Sequence, residues 1–206
     1  MSIFYLNQGF PLDDSLWDGL NSPFEIQFLK EKYLVNPGEK KIEPLNFHSN
    51  IPTTFYPILI NYQKQREKLE NIAIDELVAV EFRKDWGFFF RGVHSLKEEL
   101  VLSRVKNVET FNKIMEKFNG KKLQMGDSSY LLEPLKDFFI AYIFWEGDED
   151  FPCSLKILFD RKLANIFMQD IVWGVIVETN YRIKNFQSYL SLFEYSKIFS
   201  TRTASE

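Results

Sequence analysis

Four carboxylates stand between two strand-like apolar stretches in Trp145-Glu146-Gly147-Asp148-Glu149-Asp150-Phe151-Pro152-Cys153-Ser154, which runs on into Leu155-Lys156-Ile157-Leu158-Phe159-Asp160. Clustered acids could bind a hard cation through oxygen ligands, but a calcium loop needs acids at alternating positions, a central glycine and a closing glutamate. This loop has neither arrangement. A carboxylate pair could also perform acid–base chemistry if burial raised one pKa. Asp127, Glu146, Asp148 and Asp160 are the candidates, each at an expected strand end. The plainer expectation is a solvated turn, with Gly147 in a left-handed backbone position and Asp127 and Asp160 capping turns. Cys153 sits among acids that raise a thiol pKa, which makes it a poor nucleophile. His94 and His48 have no partner at catalytic spacing. Trp86, Phe88, Phe90 and Arg91 could line a pocket for a planar or anionic ligand, or could be sheet face and core with Arg91 at the rim. The ligand-binding set to look for is therefore Trp86, Arg91, Asp127, Trp145, Glu146, Asp148, Glu149 and Asp160. No metal or cofactor is assigned.

The elements that must hold these residues can be read from pattern. Ser22-Pro23-Phe24-Glu25 resembles a helix start and predicts a helix to about Leu29. Residues 32–45, centred on Asn36-Pro37-Gly38, predict two short strands around a turn. Thr54 opens a helix with Phe55, Ile58, Leu59 and Tyr62 on one face, and Pro57 falls in its first turn. Val78, Val80 and Phe82 alternate as a half-buried strand, with residues 86–92 as its hairpin partner. Ser95-Leu96-Lys97-Glu98 reads as a capping box. Residues 108–118 predict a helix capped by Asn107, with Phe111, Ile114, Met115 and Phe118 buried and Asn119-Gly120 as its stop. Strands follow at 122–125, 130–132 and 138–144, and one at 155–159 runs antiparallel across the acidic loop. From Met168 onward Val172, Ile176, Thr179, Ile183, Phe186, Leu190 and Phe193 recur at heptad spacing. They predict either a coiled-coil-like seam or a long helix packed on its own core.

Composition narrows the class. The chain has 206 residues, 45% of them apolar, with 21 Phe, 9 Tyr and 4 Trp, which is ample to offset ordering entropy. Its apolar runs are far shorter than the roughly 20 residues of a membrane span, and its start lacks a secretory pattern, so a soluble cytoplasmic protein with no membrane partner is expected. One cysteine and two histidines exclude a disulfide framework, a cysteine-ligated cluster and a structural zinc site built by this chain alone. A net charge of -4 with scattered basic residues disfavours nucleic acid. The expected architecture is α+β: a mixed, largely antiparallel sheet with packed helices. Residues 1–180 form a single domain, and 181–206 form a C-terminal helical extension with a frayed tail.

Gly126-Asp127-Ser128-Ser129-Tyr130, the apolar strand ending in Trp145, Glu146 to Pro152, and Leu158-Phe159-Asp160 together resemble a prokaryotic domain-of-unknown-function family. Its members read Gly-Asp-x-Ser-Phe, Trp-x-Gly-Asp-Glu-Glu-Phe-Pro and Leu-Phe-Asp, followed by Leu-Pro-Thr-Glu-Asp-Leu. The similarity covers roughly residues 32–177. The resemblance implies no established activity; its members occur mainly in anaerobic bacteria and archaea, and some carry an appended cysteine-rich iron–sulfur module. This chain lacks the cysteines for a cluster. Its last motif is Ile166-Phe167-Met168-Gln169-Asp170-Ile171, without the Pro, Thr and Glu. The expectation is a non-catalytic accessory or protein-interaction domain, its partner another protein or a second copy joined through the C-terminal helix. The alternatives are a small-molecule or cofactor-binding protein with an aromatic pocket near the acidic loop, and a carboxylate- or metal-dependent enzyme.

Overall fold

The computed structural model describes residues 14–47, 53–69, 74–189 and 191. Two antiparallel sheets are packed around one buried helix. The smaller is a meander of β1 (Phe24–Phe28), β2 (Glu31–Asn36) and β3 (Lys41–Pro44). The larger holds five strands in the order β4 (Leu77–Val78), β8 (Ser154–Asp160), β7 (Phe138–Trp145), β6 (Ser128–Leu135) and β5 (Lys121–Leu123). The helices are α1 (Tyr56–Gln65), α2 (Lys84–Phe89), α3 (Glu98–Leu102), α4 (Val108–Lys117), α5 (Leu163–Ile166) and α6 (Gln169–Lys184). The α+β expectation holds.

Phe138, Ile140, Tyr142 and Phe144 of β7 point to one sheet face and are fully buried. Onto that face α4 lays Phe111, stacked 5.1 Å from Phe144, while α6 meets it through Asn180, whose Oδ1 accepts from the Tyr142 hydroxyl at 2.7 Å. Burial pushes the Tyr142 hydroxyl pKa well up, so the phenol stays a donor. Every residue of α6 from Ile171 to Asn180 is buried. A helix apolar all round belongs inside a core. Val172, Ile176, Thr179 and Ile183 therefore face this chain's own sheet and helices, and the self-association seam expected on them is not available. Leu190 and Phe193 lie outside the described residues, as does His48. The helix runs through position 180 without interruption, and Ile183 and Tyr189 are buried beyond it.

Three local expectations fail for physical reasons. Residues 24–28 are a strand, because Ile26 and Phe28 alternate inward and the aromatic and β-branched side chains suit a pleated face better than the serine–proline start suits a helix. Residues 84–89 are helical, with Trp86 and Phe90 four apart and stacked at 5.5 Å; β4 is only two residues long, and Val80–Phe82 form a 3₁₀ turn. The capping box at Ser95 is not formed. Lys97 takes a left-handed φ of 59° and α3 starts at Glu98. By contrast Asn107 caps α4, accepting from the Thr110 amide at 2.8 Å, and Asn119 ends it with φ 60°.

Among the described residues no helix is long and apolar enough to cross a membrane.

Candidate functional site

The β7–β8 hairpin places the acidic segment at one end of the larger sheet. Trp145 pairs with Ser154 there, and Ile140 pairs with Phe159 near the other end. Asp127 enters β6 beside the acidic end: its amide donates to Phe144 O at 3.0 Å, and its Oδ2 accepts from the Glu146 amide at 2.8 Å. Glu146 in turn reaches α4, where its Oε2 accepts from the Val108 amide at 2.7 Å. A carboxylate on the first turn of a helix satisfies an otherwise orphaned N–H and complements the helix dipole. Glu146 is thus a helix cap delivered from a strand end. Glu146→Ala is expected to destabilise the fold by about 1 kcal/mol, measured by urea denaturation, with the earliest loss of amide protection at the start of α4.

The loop is closed from within. Asp148 Oδ1 accepts from the amides of Asp150 (2.9 Å) and Phe151 (2.8 Å), and the Asp148 amide donates to Phe151 O at 2.8 Å. Gly147 is required for space, not for a left-handed backbone. A Cβ there would stand 2.6 Å from Phe151 O, 2.7 Å from the Pro152 carbonyl carbon and closer still to the Cys153 nitrogen. Gly126 does need its positive φ of 58°, and a Cβ would meet Phe144 O at 2.8 Å. This folding leaves Glu149 and Asp150 exposed, flanked by Trp145 (38% exposed) and Phe151 (71%).

The remaining candidates lie elsewhere. Ser154 and Phe159 are five strand residues apart, roughly 16 Å, so Trp86, stacked 5.3 Å from Phe159, is far from the acidic loop. Trp86 is core, only 2% exposed. Arg91 is exposed, with its guanidinium 4.9 Å from the Phe88 ring centroid. Asp160 is fully buried at the far end of β8. Its Oδ1 accepts from the amides of Lys162 (3.1 Å) and Asp75 (3.3 Å), and Lys162 Nζ stands 3.4 Å from Oδ2. Asp127, Trp145, Glu146, Asp148 and Glu149 are brought together; Trp86, Arg91 and Asp160 are not joined to them. A pocket of about 350 Å³ does lie beside Trp86, lined also by Arg83, Phe89, Phe167, Met168 and Asp170. It opens at the wrong end of the sheet to include the acidic loop. Among the described residues, no three His, Cys, Asp or Glu side chains are grouped to hold a metal ion.

Two polar constellations had no signature in the sequence. Ser128 Oγ accepts from Lys122 Nζ at 2.7 Å and donates to Asn112 Oδ1. The spacing is that of a serine–lysine pair, but the serine is 2% exposed and its proton is committed to Asn112. Activating a serine requires an amine that accepts that proton; here the cluster stitches α4 to β5 and β6. The second constellation is ionic. Arg182 of α6 holds Glu31 of β2 through Nη2 (2.9 Å) and Nε (3.2 Å), bonds Glu178 through Nη1, and lies with its guanidinium carbon 4.9 Å from both the Phe28 and Phe55 ring centroids. The Tyr33 hydroxyl donates to Glu31. Burial works against the charge of Arg182, but Glu31 and Glu178 hold its pKa well above the usual value.

Burial also pushes the Glu178 carboxyl up, against the pull of Arg182. Folded Glu178 therefore keeps its proton to higher pH than the unfolded chain, where a glutamate titrates near about 4.3. The stability it adds is full below that value and is lost as pH rises through the raised folded pKa. Glu178→Gln should abolish that loss. Its stability relative to wild type is expected to rise as pH is raised above about 4.3, read by urea unfolding at each pH.

These features define a compact α+β scaffold whose acidic hairpin end is braced by its own carboxylates. Residues 15–179 match the family model described as Domain of unknown function (DUF3786), and the chain belongs to that family. No curated protein and no solved structure matches it.

Proposed function

We propose that this chain is a non-catalytic protein-interaction domain, and that the β7–β8 hairpin end is its contact surface. The observation that carries the reading is the division of labour in the loop. Asp127, Glu146 and Asp148 each accept backbone N–H bonds that hold its shape, while Trp145, Phe151, Glu149 and Asp150 are turned to solvent. Large aromatics carried on a loop whose backbone is hydrogen-bonded suit binding, since little backbone ordering entropy is lost when a partner covers them. The surrounding carboxylates favour a partner segment carrying Lys or Arg beside an apolar side chain.

Site-specific photo-crosslinking tests this. A photoreactive phenylalanine at position 151 should yield one dominant adduct with another protein in the native host, and the adduct should disappear in the Trp145→Ala background. A probe at exposed Glu67 should not give it. Equal adducts from both positions, or none from position 151, would contradict the reading.

A further inference from the structure

A cleft of about 390 Å³ lies between the two sheets, away from the hairpin end, lined by Glu25, Ile26 and Gln27 of β1, Glu133 and Pro134 of β6, and Tyr62 and Arg66 near the end of α1. Both strands bordering it have an unfilled side. β1 is the edge of its sheet, and β5 pairs with β6 only as far as Leu131. The two sheets touch at one end, where the Leu29 amide donates to Pro134 O at 2.7 Å. Leu29 opens the two-residue turn between Phe28 and Glu31, and antiparallel backbone groups alternate in direction. The alternation that aims the Leu29 amide at β6 aims the N–H and C=O groups of Glu25 and Gln27 the same way, into the cleft. Among the described residues no strand pairs with that side of β1.

We propose that the cleft takes an extended segment of a partner protein, which adds as a strand to the open edge of β1. The chemistry of that segment follows from the walls. Ile26, Leu29, Tyr62 and Pro134 are buried and supply an apolar floor for alternate side chains. Glu25, Glu133 and Asp137 outnumber Arg66 and Lys136 among the charged lining residues, three to two. Glu133 is anchored toward the turn by accepting from the Asp137 amide at 2.7 Å, and Glu25 stands exposed on the facing strand. Basic residues on the outer face of the inserted strand would lie opposite these carboxylates, the favoured cross-strand arrangement. The occupant is therefore an alternating apolar–basic strand. β1 is five residues long, so it spans about 16 Å of such a strand.

The probe is a fluorescent, end-blocked heptapeptide alternating lysine and valine, titrated by anisotropy into the full chain, with amide hydrogen exchange followed in parallel. The free protein should exchange the Glu25 and Gln27 amides quickly, and the peptide should slow both. Gln27→Pro removes one outward donor from an edge strand without touching the bonds to β2. It should weaken binding at least about tenfold with little change in Tm. Should that variant fold poorly, Glu25→Lys, on an exposed side chain, should weaken binding several-fold. Phe151→Ala, at the other surface, should leave peptide binding unchanged, which separates this proposal from the hairpin-end reading. The proposal is overturned by undetectable peptide binding at millimolar concentration, by undiminished binding in folded Gln27→Pro, or by loss of binding in Phe151→Ala. Slow exchange of the two amides in dilute free protein would also overturn it, because the edge would then already be covered by the chain's own ends or a second copy.

Discussion

Arg182→Ala is expected to destabilise the fold by about 3–5 kcal/mol, the cost of removing one partner from a buried ion pair. The geometry puts it at the upper end. One guanidinium serves two carboxylates that are almost wholly inside, Glu31 at 7% and Glu178 at 2% side-chain exposure, and both would be left without their counter-charge. The same side chain fills the space between Phe28 and Phe55, so its loss opens a gap as well. It also ties the small sheet to the central helix, because Glu31 lies on β2 and Arg182 near the end of α6. Against the total stability of about 5–15 kcal/mol usual for such a domain, that loss is a large fraction, and the urea midpoint should fall in proportion. Arg182→Lys should recover only a fraction, since an ammonium cannot make the two-toothed contact to Glu31 and also reach Glu178. Urea denaturation of the three proteins at neutral pH measures this. A loss below about 1 kcal/mol for the alanine variant would place the cluster among interactions of surface strength.

Trp86→Ala is expected to lose about 3–5 kcal/mol, the range for truncating a buried aromatic. The indole packs at 29° to Phe159 and at 27° to Phe90, and Phe82 meets it edge-on at 5.7 Å. It fastens α2 to the β8 strand. A ligand-contacting tryptophan at a pocket rim would behave otherwise, with stability nearly kept and a binding function lost. Calorimetric Tm of the variant distinguishes these, and a drop of several degrees or more is the outcome consistent with core packing. Phe88, on the same helix but 62% exposed, provides the internal control: Phe88→Ala should leave Tm nearly unchanged.

Much of the framework was legible because its signals are local. Asn107, the Phe111–Ile114–Met115 stripe and Asn119 specify α4 within a dozen residues, and the apolar runs on either side of the acidic loop announced β7 and β8 in antiparallel register. Failures came where two local signals competed. Ser22-Pro23 favours a helix while the alternation of Phe24, Ile26 and Phe28 favours a strand, and the tertiary demand for an inward face on the small sheet decided it. At Trp86 the aromatic run fits either period, and only Phe159, 73 positions away, selects the helix. The heptad on α6 was real in spacing but ambiguous in meaning, because a helix buried on all sides satisfies the same pattern as a seam. For the site, Asp127, Glu146, Asp148 and Asp160 were legible as strand-end acids, but which of them converge was not: the β6–β7 pairing of Ser128 with Phe144 brings Asp127 to the acidic loop and leaves Asp160 at the other end of β8. Two features could not be read at all: Glu146 reaches the Val108 amide 38 positions back, and Glu31 meets Arg182 across 151 positions. No pattern within either segment reports such a contact.

The acidic loop is braced from within, its structural carboxylates occupied by backbone amides and its aromatics turned to solvent. Residue-resolved amide hydrogen exchange of the unbound protein tests that claim most directly. The amides of Asp148, Asp150 and Phe151, each bonded within the loop, should exchange at least about tenfold more slowly than unstructured peptide. Asp148→Ala should release Asp150 and Phe151 together. Exchange of all three at unstructured rates in the wild-type chain would mean the loop is not held, and would contradict a preformed contact surface there.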